Sequence, residues 1–121
     1  NRQLSGYSIH GDYAALALEP YDSASTNQIV ILDSAGNVFA SLDTTEKAIS
    51  ISLLGDTVAT LHQGKVMAYS VNAMRNQDTS AGTAVTAFSA QDAGSDAKAL
   101  ALCDESSAYV LGISEIRYLR L

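Results

Sequence analysis

The chain has no tryptophan, one proline, one cysteine and two histidines in 121 residues, and its seven lysines and arginines are outnumbered by thirteen aspartates and glutamates. Each shortage excludes something. A formal net charge of -6 leaves no basic field to hold a phosphate backbone or an anionic membrane, so nucleic acid is not an expected partner. No apolar run approaches the roughly 20 residues that span a bilayer, and no basic stretch followed by an apolar one opens the chain. Direct membrane insertion of this segment is not expected. The lone Cys103 cannot close an intrachain disulfide, and in the run Ala99-Leu100-Ala101-Leu102-Cys103, without a cationic neighbour, it reads as a small buried thiol. The near absence of proline, with 47% hydrophobic and 17% charged residues, describes a packed globular chain. Its length suits one domain. The first residue is Asn1 rather than Met, which leads to the expectation of a segment cut from something longer.

What the sequence does hold is a repeat, with a period of about 42–50 residues. Ser8-Ile9-His10-Gly11-Asp12-Tyr13-Ala14-Ala15-Leu16 is echoed by Ser52-Leu53-Leu54-Gly55-Asp56-Thr57-Val58-Ala59-Thr60-Leu61, and more loosely by the stretch from Leu102 to Leu111. Each reads as a strand, a tight polar turn and a second strand. Third runs follow at Gln28–Asp33, Lys65–Ser70 and Glu115–Arg120, and fourth runs at Val38–Leu42 and Ala84–Phe88. The expected organisation is therefore all-β, a single β domain or fragment over residues 1–121. It consists of four-stranded antiparallel meanders repeating over about 6–47, 48–96 and 97–121, the last lacking its fourth strand.

Turn chemistry supports this pattern. Gly-Asp in a two-residue connection suits a type II′ hairpin at Gly11-Asp12 and Gly55-Asp56, because glycine takes the positive φ that a β-carbon resists. In Asp33-Ser34-Ala35-Gly36-Asn37 the aspartate can cap the turn, and Gln63-Gly64 closes another hairpin. Helix competes poorly with runs that alternate at period two between glycines. One helical turn or a loop is expected over Val71–Asn76, in a long connection reaching Thr83.

A strand ending in Gly-Asp, an apolar strand, a third strand ending in Asp, and a Gly-Asn turn into a fourth strand resemble one blade of a β-propeller. The likeness rests on Ile49 to Leu61, Gln28 to Val38 and their repeats, and runs from about Tyr7 to Leu121. The chain is similar to WD-repeat-like and quinoprotein-like propellers, in particular to bacterial propellers of uncharacterised function that follow a membrane anchor and face the cell exterior. The resemblance implies an extracytoplasmic or cell-surface setting with any anchor upstream of Asn1. Lacking tryptophan and an opening Gly-His, the chain departs from true WD repeats and from quinone-docking blades, so no cofactor is expected. A closed ring takes roughly four to eight blades. Two full blades and an incomplete third leave open sheet edges, for which missing blades or another copy of the chain are the expected partners. The alternative is a self-contained β-sandwich of repeated meanders.

Candidate chemistry is sparse. His10 and His62 fall at opposite edges and read as partly exposed turn residues. The serines form no Gly-x-Ser-x-Gly elbow, so no catalytic residue is assigned. Asp33 and Asp96 read as turn caps; with no Asp-x-Asp-x-Asp-Gly pattern, no metal site is assigned. If first-to-second turns lie on one rim, the opposite rim gathers Glu19, Tyr21, Asp22, Asp43, Glu46, Asp92 and Asp96, opposed by Lys47 and Lys98. Loops on a rigid scaffold are where binding residues collect, so this acidic rim is the candidate contact face. A core is expected from Ile9, Ile29, Ile31, Val38, Ile49, Ile51, Leu53, Val58, Leu61, Val66, Val85, Phe88, Leu100, Leu102, Val110, Leu111, Ile116 and Tyr118. The favoured function is a non-catalytic binding or assembly module for a protein or cell-surface ligand. The alternatives are a propeller enzyme or carbohydrate-binding domain using Ser8, His10, Ser50 and Ser52 in a central channel, and a structural sandwich module.

Overall fold

The computed structural model describes residues 2–22, 26–76 and 85–121. Strands β1 (Arg2–His10), β2 (Tyr13–Pro20), β3 (Asn27–Leu32) and β4 (Val38–Thr44) form a first antiparallel sheet in chain order. β5 (Ser50–Leu54), β6 (Thr57–His62), β7 (Lys65–Ser70) and β8 (Ser89–Asp92) form a second, and β9 (Ala97–Asp104), β10 (Ser107–Gly112) and β11 (Ile116–Arg120) a third. Helix α1 (Val71–Arg75) follows β7, with Ser70 as its N-cap accepting from the Ala73 N–H. Within each sheet every strand pairs with its neighbour in sequence, and no described strand crosses between sheets. The fold is all-β and propeller-like.

The sheets stand in series, with β5 against β1 on one side and against β9 on the other. A sandwich would cover each sheet on one face only. Here the middle sheet is covered on both, and β6 shows the consequence: all six residues, Thr57 to His62, are buried. Period two divides them between two cores. Val58 faces the first sheet with Ile29, Ile31, Ile51 and Leu53. Ala59 and Leu61 face the third with Val66, Leu100 and Val110.

The hairpins follow the glycines where they occur. Gly11 and Gly55 take φ of 60° and 59°, while no other residue type takes a positive φ among the described residues. Asp33 Oδ1 accepts from the N–H groups of Ala35 and Asn37, both at 3.0 Å, capping the β3–β4 turn. The third hairpin has Glu105-Ser106 in place of Gly-Asp and is capped from one residue earlier. Asp104 Oδ1 accepts from the Ser106 N–H and the Ser107 hydroxyl, each at 2.8 Å. These bonds hold the Asp104 carboxyl below its ordinary range, the Ser106 N–H contributing most.

Several expectations are corrected. Ile9, Val38, Ile49, Phe88, Leu111, Ile116 and Tyr118 are exposed. Ile9 lies on the outer face of the first sheet and Leu111, Ile116 and Tyr118 on that of the third, where no further sheet among the described residues covers them. Val38 sits at the start of edge strand β4, and Ile49 and Phe88 immediately precede strands. The fourth strand of the second sheet is Ser89–Asp92; Ala84 and the connection through Thr83 lie outside the described residues. Val85 and Ala87 instead pack, half-buried, on the first core. Cys103 is exposed rather than buried. Ala108 pairs with Leu102 while Ser107 pairs with Asp104, so Cys103 is the extra residue of a bulge and leaves the alternation. The bulge also makes Leu102, not Cys103, the counterpart of Leu53, which pairs with Val58.

Candidate functional site

The seven rim residues lie where β2, β4 and β8 end and where β9 begins. Glu19 ends β2 with Tyr21 and Asp22 just beyond it; Asp43 and Glu46 end β4 and begin its connection to β5; Asp92 closes β8 and Asp96 precedes β9. Antiparallel order places all these ends on one rim. Their charges are more divided than an unbroken acidic field. Lys47 Nζ lies 3.2 Å from Glu19 Oε2 and Lys65 Nζ 3.2 Å from Glu46 Oε1. Gln3 and Gln28 side-chain amides donate to Glu19 and Asp43. Arg117, bonded to Glu115 at 2.9 Å, is held charged first by that partner and then by the fields of Asp92 and Asp96. Lys65 and Arg117 therefore join Lys47 among the cations of this rim. Such exposed pairs contribute little stability, but they break the rim into patches. Asp92 caps the turn before β9 by accepting from the Gly94 N–H at 3.1 Å. Asp96, expected in that capping role, instead sits over Gly112, where a Cβ would come within 2.8 Å of its Oδ2.

His62, expected as a partly exposed turn residue, is 3% exposed at the same rim. Its Nδ1 lies 3.0 Å from the Lys47 carbonyl, and its Nε2 2.8 Å from Thr60 Oγ1. A carbonyl can only accept, so Nδ1 carries the proton and Nε2 accepts from the Thr60 hydroxyl. The ring is a neutral strut between β6 and the connection from the first sheet. Burial pushes its pKa below 6.5, against the weaker opposing pull of the Lys47 carbonyl and the Glu46 carboxylate. His10 is exposed at the other rim. No group of three or more potential metal ligands converges among the described residues.

The serines do something that sequence reasoning missed. Ser8 Oγ accepts from the Leu53 N–H at 2.9 Å, and Ser50 and Ser52 Oγ accept from the Leu100 and Leu102 N–H groups at 3.1 and 3.0 Å. Hydroxyls on the innermost strand of one sheet thus satisfy the free backbone edge of the next. The legible signal was serine at matching positions of two repeats, Ser8 and Ser52, always one step from a large apolar residue. The three serines expected to face a central channel act as joints between the sheets.

The rim of the β1–β2 turns carries a second feature with no sequence forewarning. Between the first and second sheets lies a cleft of about 430 Å³. Its walls are Tyr13, Ile31, Phe39, Leu53 and Val71, with the turns Gly11-Asp12 and Gly55-Asp56 at its mouth. Tyr13 and Phe39 meet edge-on at 5.0 Å, and the Arg75 guanidinium covers Phe39 at 4.3 Å from the ring centre. Asp56 is engaged from α1, accepting from Ser70 Oγ at 2.6 Å and the Asn72 N–H at 2.8 Å. At the next junction the Glu105 side chain lies over the corresponding turn, 2.8 Å from the position of a Cβ on Gly55. Glu105 Oε2 accepts from the Asp56 N–H at 2.7 Å, while the Glu105 carbonyl accepts from Thr57 Oγ1 at 2.7 Å.

No family model and no curated protein matches the chain. Among solved structures it is similar to the crystal structure of BamB from Moraxella catarrhalis, with a TM-score of 0.68 at 13% sequence identity over 97% of this chain. The match spans only 33% of that protein's length. BamB is a β-propeller; at this identity the likeness establishes the fold, and the three sheets are propeller-like blades.

Proposed function

We propose that these blades act as a non-catalytic binding and assembly module in an extracytoplasmic protein of a bacterium. The observation that carries this reading is the pair of uncovered outer faces. Tyr7 and Ile9 of the first blade are 65% and 70% exposed, and Ile116 and Tyr118 of the third 68% and 52%. These residues resemble those buried between the blades, and apolar sheet faces of this kind mark surfaces that other protein covers. Further blades or another copy of the chain fit them best. The likeness to a propeller about three times as long supports this. The acidic rim is the contact face for a protein or cell-surface ligand, with Tyr21 its most exposed aromatic, at 70%. The inner-strand serines favour a structural over a catalytic interior, because each is engaged by a neighbouring backbone N–H.

Sedimentation velocity tests the assembly part: the chain should associate with rising concentration, and Ile9→Glu or Ile116→Glu should shift it towards monomer. A wild-type chain that stays monomeric throughout overturns it. For the rim, pull-down or glycan-array binding should disappear on changing Asp22, Asp43 and Asp92 to Asn; unchanged binding removes the rim from the reading. Cell fractionation that finds the chain in the cytoplasm rejects the assigned setting.

A further inference from the structure

We propose that the cleft between the first two blades binds a glutamate side chain presented by a partner polypeptide. In the bound form the carboxylate accepts from the Asp12 N–H, and the methylene groups lie against Phe39 and Leu53. This site is separate from the acidic rim and from the outer faces, so it stands or falls apart from them.

The molecule carries its own precedent one junction along. Gly11, Gly55 and Glu105 are the first turn residues of the β1–β2, β5–β6 and β9–β10 hairpins. At the second junction Glu105 reaches back over the preceding blade, and its carboxylate takes the Asp56 N–H. It lies so close over the turn that a Cβ on Gly55 would come within 2.8 Å of it. At the first junction the residue in Glu105's place is Gly55, which has no side chain to send. The Gly11-Asp12 turn has nearly the same glycine φ, 60° at Gly11 against 59° at Gly55, yet among the described residues nothing lies within 4 Å of a Cβ built on Gly11. The first blade thus presents a turn with the same glycine φ, and Gly11 and Asp12 line the cleft at the turn equivalent to the one that receives Glu105 in the second.

The surroundings suit that side chain rather than a bare anion. Phe39, Tyr13 and Leu53 give its methylene groups an apolar wall, His10 lines the same cleft, and Arg75, stacked on Phe39, supplies a nearby cation. Asp12 and Asp56 stand at the mouth. The second junction shows that an aspartate in this turn tolerates a carboxylate on its own N–H when its side chain turns elsewhere, as Asp56 does towards Ser70. A charged acceptor on a backbone N–H makes a stronger bond than a neutral one, which distinguishes glutamate from glutamine.

The test uses the 121-residue chain and the tetrapeptide acetyl-Asp-Glu-Ser-Ser-amide, copied from residues 104–107, followed through backbone amide shifts. The Asp12 amide should move saturably while the Asp56 amide, already engaged by Glu105, stays in place. The analogue with glutamine in place of glutamate should bind about tenfold more weakly, and butyrate more weakly than the glutamate peptide. Phe39→Leu should weaken binding severalfold; Asp12→Asn, which removes a like charge, should tighten it and keeps the site testable if the core variant fails to fold. Equal binding of the glutamine analogue, equal shifts at Asp12 and Asp56, or no saturable shift at Asp12 overturns the proposal. Butyrate binding as tightly as the peptide overturns the polypeptide source and assigns the cleft to free carboxylates.

Discussion

The two junctions between blades are built on one plan from different materials. The first joins long side chains: Ile29, Ile31, Leu42, Ile51, Leu53 and Met74 are buried together, and Ile51 comes to 3.5 Å from the position of a Cβ on Gly6. The second is thinner, with Ala59, Ala68, Ala93, Ala97 and Ala108 supplying much of its layer beside Leu61, Val66, Leu100 and Val110. Polar joints run the other way. Among the described residues the first junction has one serine joint, because Gly6 stands where the second blade has Ser50; the second junction has two, with Glu105 over its rim. A repeat can therefore keep its spacing while exchanging buried apolar area for hydrogen bonds. The junction richer in apolar bulk is the one that keeps an open cleft.

Core truncations should separate the junctions most. Ile31 is fully buried in the first layer, and Ile31→Ala should cost about 3 kcal/mol, through lost transfer energy and the cavity left behind. Val110, 1% exposed in the second layer, should cost about 2 kcal/mol on change to Ala, since fewer atoms are removed. Urea unfolding of both variants measures the difference. If Val110→Ala proves the costlier, apolar bulk does not distinguish the junctions as described.

Removing a joint should come next. Ser52→Ala leaves the Leu102 N–H without its acceptor in a part-buried place, a loss of about 1–2 kcal/mol. Ser8→Ala should cost a similar amount at the first junction. Hydrogen exchange locates each effect: the Leu102 amide should lose protection in the first variant and the Leu53 amide in the second. Loss of protection at both amides in either variant would mean that the blades open together rather than one junction at a time.

The meanders and their turns were legible because period-two alternation and glycine at positive φ are local properties, written in stretches such as Leu53-Leu54-Gly55-Asp56. The joints were not, because the partner of Ser52 lies 50 residues away and is a backbone group with no sequence signature. Burial of Ile29 and Ile31 could be read from their strand; exposure of Ile9 and Ile116 could not, since their alternation is the same and only the absence of a neighbouring sheet differs. The cleft is the hardest case. It arises from a missing side chain at Gly55, and a glycine chosen for its turn gives no sign that a glutamate fills the equivalent place one repeat on. Among the rim residues, sequence order placed the charges on one edge but could not foresee that Lys65 and Arg117 would interrupt them.

Acidification should act on one junction. His62 is neutral in the fold, with its pKa below the unfolded value of 6.5, so the unfolded chain binds more protons as the pH falls. The stabilisation from the neutral ring is present above pH 6.5 and is lost progressively as the pH falls from there through the lowered folded value. The added proton goes to Nε2, which then can no longer accept from the Thr60 hydroxyl, so a charge is placed in the buried contact between β6 and the connection from the first blade. The Ile49 amide, bonded to the Leu61 carbonyl beside it, should lose protection between neutral and mildly acid pH. The Ala93 amide, bonded to Gly64 at the second connection, should change less. Replacing His62 with Gln should flatten this dependence. Parallel loss at both amides would place the titration elsewhere.

The smallest effect is expected at Cys103. It belongs to the second junction by sequence, within the strand that Ser50 and Ser52 hold, yet the bulge turns it out of the layer and leaves it exposed. Its packing contribution should be slight: Cys103→Ser should change stability by no more than about 0.5 kcal/mol, as for a surface substitution away from special features. The native thiol should be modified by a disulfide reagent at nearly the rate of the unfolded chain, since access and not local unfolding limits the reaction. Deleting the residue is a different perturbation. Without the extra position the bulge cannot form, and either Leu102 leaves its place opposite Ala108 or the Asp104-capped turn must move. A near-silent serine variant beside a strongly destabilised deletion would show that the position matters for the length it adds to the strand. A serine variant as damaging as the deletion would return Cys103 to the core from which the bulge excludes it.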